Sequence, residues 1–286
     1  MLKDQSFIQE KPTRPFKRTL TNMAVVAVLS TSQFAFATEE EPKSQQGESI
    51  DLERIVVTGT PRGTTKLQSS TSVTTVSNER AENFVPTGTV DILRSIPGIR
   101  AESSGGDSNG NITVRGVPLG GGGTKFLQIH EDGLPVMQFG DIIVGNADNY
   151  FTYDQTISGL EALKGSTAAT LASNSPSGVI NFVSKTGETE EGVLVYTTGL
   201  DYDSDRIDFA YGAPFADDWS FHIGGFYRIG EGIRPTGFNA NDGGQVKLSL
   251  SRYFDTGHVR FYAKVLDDQT ATILPMPVTR SGNAIA

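Results

Sequence analysis

Ile157-Ser-Gly-Leu-Glu-Ala-Leu-Lys-Gly-Ser-Thr-Ala-Ala-Thr-Leu-Ala-Ser-Asn-Ser-Pro-Ser-Gly-Val-Ile-Asn-Phe-Val-Ser-Lys185 is the stretch from which the rest of this chain is read. One apolar run carries Ile157, Leu160 and Leu163, the other Val179, Ile180, Phe182 and Val183, and both read as strands. Between them, Ser166 to Ser177 holds one residue larger than Asn, Leu171. So little side-chain bulk lets backbone pack closely on backbone, as a domain threaded inside another structure requires.

Upstream, Lys3, Lys11, Arg14, Lys17 and Arg18 form a basic leader ahead of a short apolar core, Met23 to Leu29. Ala35-Phe36-Ala37 follows as a cleavage site, so residues 1–37 read as a secretory signal peptide. The apolar core is shorter than the about 20 residues that a helix needs to cross a bilayer. Five basic and two acidic residues leave with the leader, which takes the net charge from −9 to −12. An acidic chain argues against nucleic acid as a partner. The absence of cysteine excludes a disulfide framework and thiolate metal sites.

Thr38 to Ile50 is polar, acidic and without period, and reads as a linker. The β-prone run Asp51 to Thr60 stands alone between polar flanks. It is suited to pairing with another protein's sheet edge, or to serving as the first strand of the domain that follows. From Gly63 to about Thr186 the chain reads as one mixed α/β unit. Ser72 to Ser77 is a strand, and Thr89 to Gly98 a helix started near Thr87 or Thr89 and stopped by Pro97-Gly98.

Several elements of this unit have counterparts in one family. "E-x-L-K-G" and "G-V-I-N-F-V-S-K" in 157–185, "D-x-L-x-x-x-P-G" at 91–98, Asn111-Ile-Thr-Val-Arg-Gly116 and Phe126-Leu-Gln-Ile-His-Glu-Asp-Gly-Leu-Pro-Val136 resemble, in order, the plug domain of TonB-dependent outer-membrane receptors. The chain departs from that pattern at Ala172-Ser173, at Ser177-Gly178, and where His130-Glu131 interrupts the apolar run before Asp132-Gly133. The resemblance implies a TonB box at Arg54, Ile55, Val56, Val57 and Thr58, gripped by the carboxy-terminal domain of TonB. It implies that Arg115 and Lys164 latch the plug to carboxylates of a surrounding barrel. It also implies that two flexible loops, with Ser104, Asp107, Asn109, Gly121 and Gly122, face a small-molecule ligand, an iron chelate or an oligosaccharide.

After Gly192 the period becomes two. Ile207, Phe209 and Tyr211 alternate with Arg206, Asp208 and Ala210; Trp219, Phe221 and Ile223 with Ser220, His222 and Gly224. Val246, Leu248 and Leu250 alternate with Lys247 and Ser249; Val259, Phe261, Ala263 and Val265 with Arg260, Tyr262 and Lys264. Such strands fit a soluble sheet or a barrel with a wet lumen. Short turns at Gly212 to Asp218 and Asp255 to Gly257, against long segments at Ile229 to Gly243 and after Leu266, favour the barrel. Trp219, Tyr253 and Phe254 would form its aromatic girdle against outer-membrane lipid. About five strands cannot close a barrel, and at lipid depth open edges are not tolerated.

The expected fold is therefore an α+β plug domain followed by antiparallel β strands of an incomplete transmembrane β-barrel. The expected division is a signal peptide at 1–37, linker and TonB box at 38–62, plug at 63–190 and first barrel strands at 191–286, the start of a longer receptor. Active uptake of a scarce nutrient, foremost a ferric siderophore, is the implied role; carbohydrate uptake and a structural or adhesive outer-membrane β-protein are the alternatives.

No catalytic, metal or cofactor site is expected. His130, His222 and His258 are far apart in sequence, and His130-Glu131 lacks the second histidine of a zinc-protease helix. Asp201, Asp203 and Asp205 begin like a calcium loop, but Arg206 and Gly212 stand where Gly and Glu are needed. Gly120 to Lys125 has the wrong spacing for a phosphate loop. With Thr38 to Ile50 too short for a folded domain, no signalling role is expected either.

Overall fold

The computed structural model describes residues 72–103, 105–117, 126–138, 145–165 and 172–273, with backbone alone at 55–56, 64–65, 141–142, 280–281 and 284–285. The leader, and the site residues Arg54, Val57, Thr58, Ser104, Gly121 and Gly122, lie outside the described residues. Strand β1 (Ile55–Val56) pairs antiparallel with β2 (Thr64–Thr65), apart from the larger sheets.

Next come β3 (Val73–Ser77), helices α1 (Asn78–Glu82) and α2 (Thr89–Leu93), and the antiparallel pair β4 (Ile99–Glu102) and β5 (Asn111–Val114). They are followed by β6 (Leu127–Glu131), β7 (Leu134–Pro135), the two-residue strands β8 (Asp141–Ile142) and β9 (Gly145–Asn146), β10 (Ile157–Lys164) and β11 (Gly178–Ser184). One five-stranded sheet runs β3-β10-β11-β6-β7. β10 is antiparallel to both neighbours, while β11 meets β6 in parallel.

The two apolar runs of the opening stretch are thus the adjacent central strands β10 and β11. The register sets Leu160 opposite Phe182 and Leu163 opposite Val179. Leu160 and Phe182 join Ile92, Leu93, Ile129 and Phe151 in the main core. Leu163 and Val179 pack with Val73 and Ala172 in a second cluster. Both faces of the sheet are covered, which is why these strands read as nearly unbroken apolar runs.

Some boundaries differ from the sequence expectation. The helix ends at Leu93, with turns carrying the chain on to Gly98. Asp91, inside the first turn, accepts from Thr87 N and Thr87 Oγ1, so Thr87 ties down the helix start from outside it. Helix α1, capped by Ser77 through Arg80 N, was unexpected: one turn is too short to show a period.

Strands β12 (Glu191–Thr198), β13 (Ser204–Ala216), β14 (Trp219–Gly230), β15 (Asn241–Phe254) and β16 (Gly257–Thr270) form an antiparallel meander in chain order. A further short pair, β17 (Arg280–Ser281) and β18 (Ala284–Ile285), follows. β13 runs beyond the expected turn at Gly212 and absorbs Pro214 at a register shift before Ala216, leaving Asp217-Asp218 as the turn. β16 likewise continues past Leu266 to Thr270.

The meander is inverted relative to a soluble sheet. Arg206, Asp208, His222, Arg228, Gln245 and Lys247 are buried against the first domain, while Leu194, Phe209, Ile223, Val246, Phe261 and Val265 (72% exposed) point outward. A sheet that buries its charges and exposes its apolar row is not a soluble sandwich wall. It is built for an apolar solvent outside and a polar filling inside.

Candidate functional site: the contact between plug and wall

The buried face of the meander is a wall against which the first domain docks, and hydrogen bonds and ion pairs run along the contact. Midway along the wall, Asp132 and Gly133 form a two-residue turn between β6 and β7, with φ of 52° and 83°. Positive φ at both positions gives the twist that suits a tight hairpin, and Asp-Gly tolerates it. This turn presents Glu131 and Asp132 to the wall. Lys247, with its side chain 4% exposed, donates to Glu131 Oε1 at 2.6 Å, to Asp132 Oδ2 at 3.3 Å and to Ser184 Oγ. Lys264 donates to Glu131 Oε2 at 2.6 Å. Asp132 in turn accepts from Ser184 N (2.8 Å) and Ser184 Oγ (2.6 Å), which fixes the turn to the end of β11.

Burial alone would push the Glu131 carboxyl up. The ammonium groups of Lys247 and Lys264, with their hydrogen bonds, outweigh it and hold the carboxyl below the ordinary glutamate range. Beside it, His130 is buried with Nε2 2.9 Å from Gln128 Oε1, and that burial lowers its pKa.

Farther along the wall, Gln245 Nε2 donates to Asp154 Oδ2 at 2.6 Å and to Thr152 O at 3.2 Å. Arg206 makes a two-pronged pair with Asp208 (2.7 and 2.6 Å) and donates to the plug carbonyls of Tyr153 (2.8 Å) and Thr87 (3.2 Å). Its guanidinium lies 4.3 Å from the centre of the Phe226 ring.

At the long-loop end, Asp107 Oδ2 accepts from Asn241 Nδ2 at 2.7 Å and sits 3.7 Å from Arg228, whose fork is closed on Asp268 (3.0 and 2.7 Å). Ser108 Oγ meets Thr270 Oγ1 at 2.6 Å, and Ile273 N donates to Gly105 O at 2.8 Å. A cleft of about 190 Å³ opens here, lined by Asp91, Arg94, Asp107, Glu231, Arg234 and Asn241 among others. The loop's base is held by Asp148, whose Oδ2 accepts from Gly110 N at 2.7 Å. Burial, opposed by backbone N–H donors, pushes the Asp148 carboxyl up to about 6.

The expected site residues fall in different places. Asp107 reaches the cleft, yet its carboxylate is also tied to the wall. Asn109 is half-buried in the left-handed region (φ 66°). Arg115 and Lys164 come together on either side of Gly98: a Cβ built there would meet Arg115 Cγ at 3.9 Å and Lys164 Cδ at 4.0 Å. Lys164 donates to Thr74 Oγ1 and Pro97 O, both at 2.8 Å. Arg115 is exposed and makes no ion pair among the described residues.

The pairs of Lys247 with Glu131 and Asp132, and of Lys264 with Glu131, run in the opposite sense, with acid on the plug and base on the wall, while at the junction of the two Lys185 of the plug pairs with Glu191 of β12 at 3.3 Å in the expected sense. The sequence carried a signal for them: Glu131 breaks the apolar run of β6, and Lys247 and Lys264 lie on the polar rows of their strands. Only the register shows that these groups meet.

A model of the TonB-dependent receptor plug domain matches residues 65–179. A probable TonB-dependent siderophore receptor, PirA of Acinetobacter baumannii, is 26% identical over 231 residues, covering 73% of this chain and 30% of that protein. The vitamin B12 transporter BtuB of Vibrio vulnificus is 26% identical over 179 residues, 60% of this chain and 26% of that protein. Among solved structures, the pyoverdine outer membrane receptor FpvA of Pseudomonas aeruginosa is similar with a TM-score of 0.58 at 18% identity, over 71% of this chain and 28% of that one. The chain spans less than a third of the curated relatives it matches. An α+β domain with the plug's motifs, docked on an inverted antiparallel wall, agrees with all of these likenesses. Residues 65–179 are therefore a TonB-dependent receptor plug domain.

Proposed function

We propose that this chain supplies the plug and the first wall strands of a TonB-dependent receptor in the outer membrane of a Gram-negative cell, and that the receptor takes up a ferric siderophore actively. The observation that carries the reading is the inverted meander: its apolar row faces outward and its charged row grips the plug through Lys247, Lys264, Gln245 and Arg206. The siderophore rests on the name of the Acinetobacter relative. The vitamin B12 transporter among the relatives means that family membership by itself does not choose the ligand.

In this reading residues 1–37 are a leader, 38–62 a periplasmic linker with the box at 54–58, 63–190 the plug and 191–286 wall strands. Ligand enters from the long-loop end, at the cleft beside Asp107, with loop residues Ser104, Asn109, Gly121 and Gly122 above the plug. The box pairs as an added strand with the carboxy-terminal domain of TonB, which is how an outer membrane without ATP can be energised. Arg115 and Lys164, adjacent around Gly98, are the plug's basic latch toward carboxylates of the wall, while Glu131 supplies a latch of opposite polarity.

A strain lacking the gene should fail to grow when a ferric siderophore is the sole iron source, and should grow normally on limiting oligosaccharide. Normal growth on every iron chelate tried, with failure on an oligosaccharide, would overturn the siderophore and favour a sugar.

A further inference from the structure

The outward face of the wall carries one basic side chain among the described residues of β12–β16, Arg252. Its row on β15 is Val246, Leu248, Leu250, Arg252 and Phe254, and the register sets it opposite Trp219 on one side and Val259 on the other. The guanidinium carbon lies 5.3 Å from the Trp219 ring and 4.9 Å from the Phe254 ring, with Phe215 next to Trp219 at 6.2 Å between centres. Two aromatic faces thus hold the cation in place on the outside of the sheet.

Its N–H donors are unspent. Arg252 makes no hydrogen bond or ion pair among the described residues, although Asp217, Asp218 and Asp255 occupy the turns close by in sequence. Arg206 and Arg228, on the inward face, each close a fork on a carboxylate. The outward carboxylates Asp205 and Asp242 lie at the other end of their strands, where each accepts a tyrosine hydroxyl, from Tyr196 (2.6 Å) and Tyr227 (3.1 Å). The outer face therefore has a cation without an ion pair among the described residues at the short-turn end and carboxylates (Asp205, Asp242 and the exposed Asp267) at the long-loop end, with an apolar band between.

We propose that Arg252, caged by Trp219 and Phe254, binds the phosphate of an anionic phospholipid of the leaflet that surrounds the short turns. This rests on the membrane reading above. A planar guanidinium fixed by stacking presents its free N–H edge as a fork, which matches the two oxygens of a phosphodiester. The acyl chains lie along the exposed row of Leu248, Val259, Phe261 and Val265. Charge complementarity and the continuous apolar band select a lipid over a soluble anion, and aromatic side chains at this depth are suited to the headgroup boundary.

Receptor extracted from outer membranes into detergent, titrated with phosphatidylglycerol or phosphatidylethanolamine and weighed by native mass spectrometry, tests this. The native protein should retain phosphatidylglycerol about fivefold better than the R252Q variant, the worth of one arginine near a charged surface. Phosphatidylethanolamine, whose ammonium offsets the charge of the same phosphodiester, should show a smaller difference between the two. W219L, which keeps the charge but removes half of the cage, should fall between them, and added inorganic phosphate should not compete. Heat-modifiable migration on gels confirms that each variant is folded. Equal retention of phosphatidylglycerol by native protein, R252Q and W219L would overturn the site while leaving the membrane reading intact. Absence of the protein from outer membranes would overturn both.

Discussion

Glu131 joins two lysines on two wall strands with one carboxylate, and the consequence is measurable. In the E131Q variant Lys247 keeps only Asp132 and Ser184, and Lys264 loses its carboxylate. Stripping one partner from a buried charge cluster should loosen the plug by about 2 to 3 kcal/mol, seen as earlier urea-induced exposure of the plug to protease. The pH dependence has a definite sign. Because the folded carboxyl sits below its ordinary value of 4.5, the contribution is complete above that value and is lost as pH falls through the lower folded one. Plug retention should stay flat from neutral pH to about 5 and weaken only in stronger acid, and E131Q should flatten that acid limb. The residue was visible in the sequence as an interruption of β6, but its partners, 116 and 133 positions away, were not.

At the scale of the element, the entry to β11 shows how a backbone position can matter more than any side chain. Gly178 has φ 156°, and a Cβ built on it would lie 2.4 Å from Leu163 O, on the neighbouring central strand. G178A should therefore push β10 and β11 apart where Leu163 meets Val179, with a cost of about 1 to 3 kcal/mol in urea unfolding. A wild-type midpoint for G178A would show that the strand entry yields freely. The pairing of β10 with β11 was legible from two apolar runs around a turn poor in bulk. The parallel partner β6 was not, because parallel neighbours are joined by distant chain and leave no turn signal between them. Helix α1 was missed for a related reason: five residues cannot display a 3.6-residue period.

For the whole molecule, the decisive property is which face of the meander meets which solvent. Leu248 is exposed in the middle of the outward row, between the Tyr227–Asp242 end and the Trp219–Arg252 end. On the membrane reading, L248K places an ammonium group in hydrocarbon and should cost about 2 to 4 kcal/mol, measured by unfolding from lipid vesicles. In detergent-free aqueous buffer the same change would improve solubility. If L248K were neutral in vesicles, the outward row would not be facing lipid. Period-two alternation gave both rows of each strand from the sequence, yet it left open which row is inside. That choice came from the plug, whose carboxylates and carbonyls need the charged row.

The sequence by itself determined the local order of this protein: strands where apolar residues alternate or run together, the tight turn at Asp255-Thr-Gly257, and the succession of plug motifs before wall strands. These follow from sterics and periodicity, which act over a few residues. Tertiary structure alone decided which charges meet. Acid on the plug and base on the wall pair at Glu131, Lys247 and Lys264, Arg115 gathers beside Lys164 around Gly98, and Arg252 is left on the outer face without an ion pair among the described residues. Ion pairing depends on distance in space and on burial, and neither is encoded in any short window of the chain.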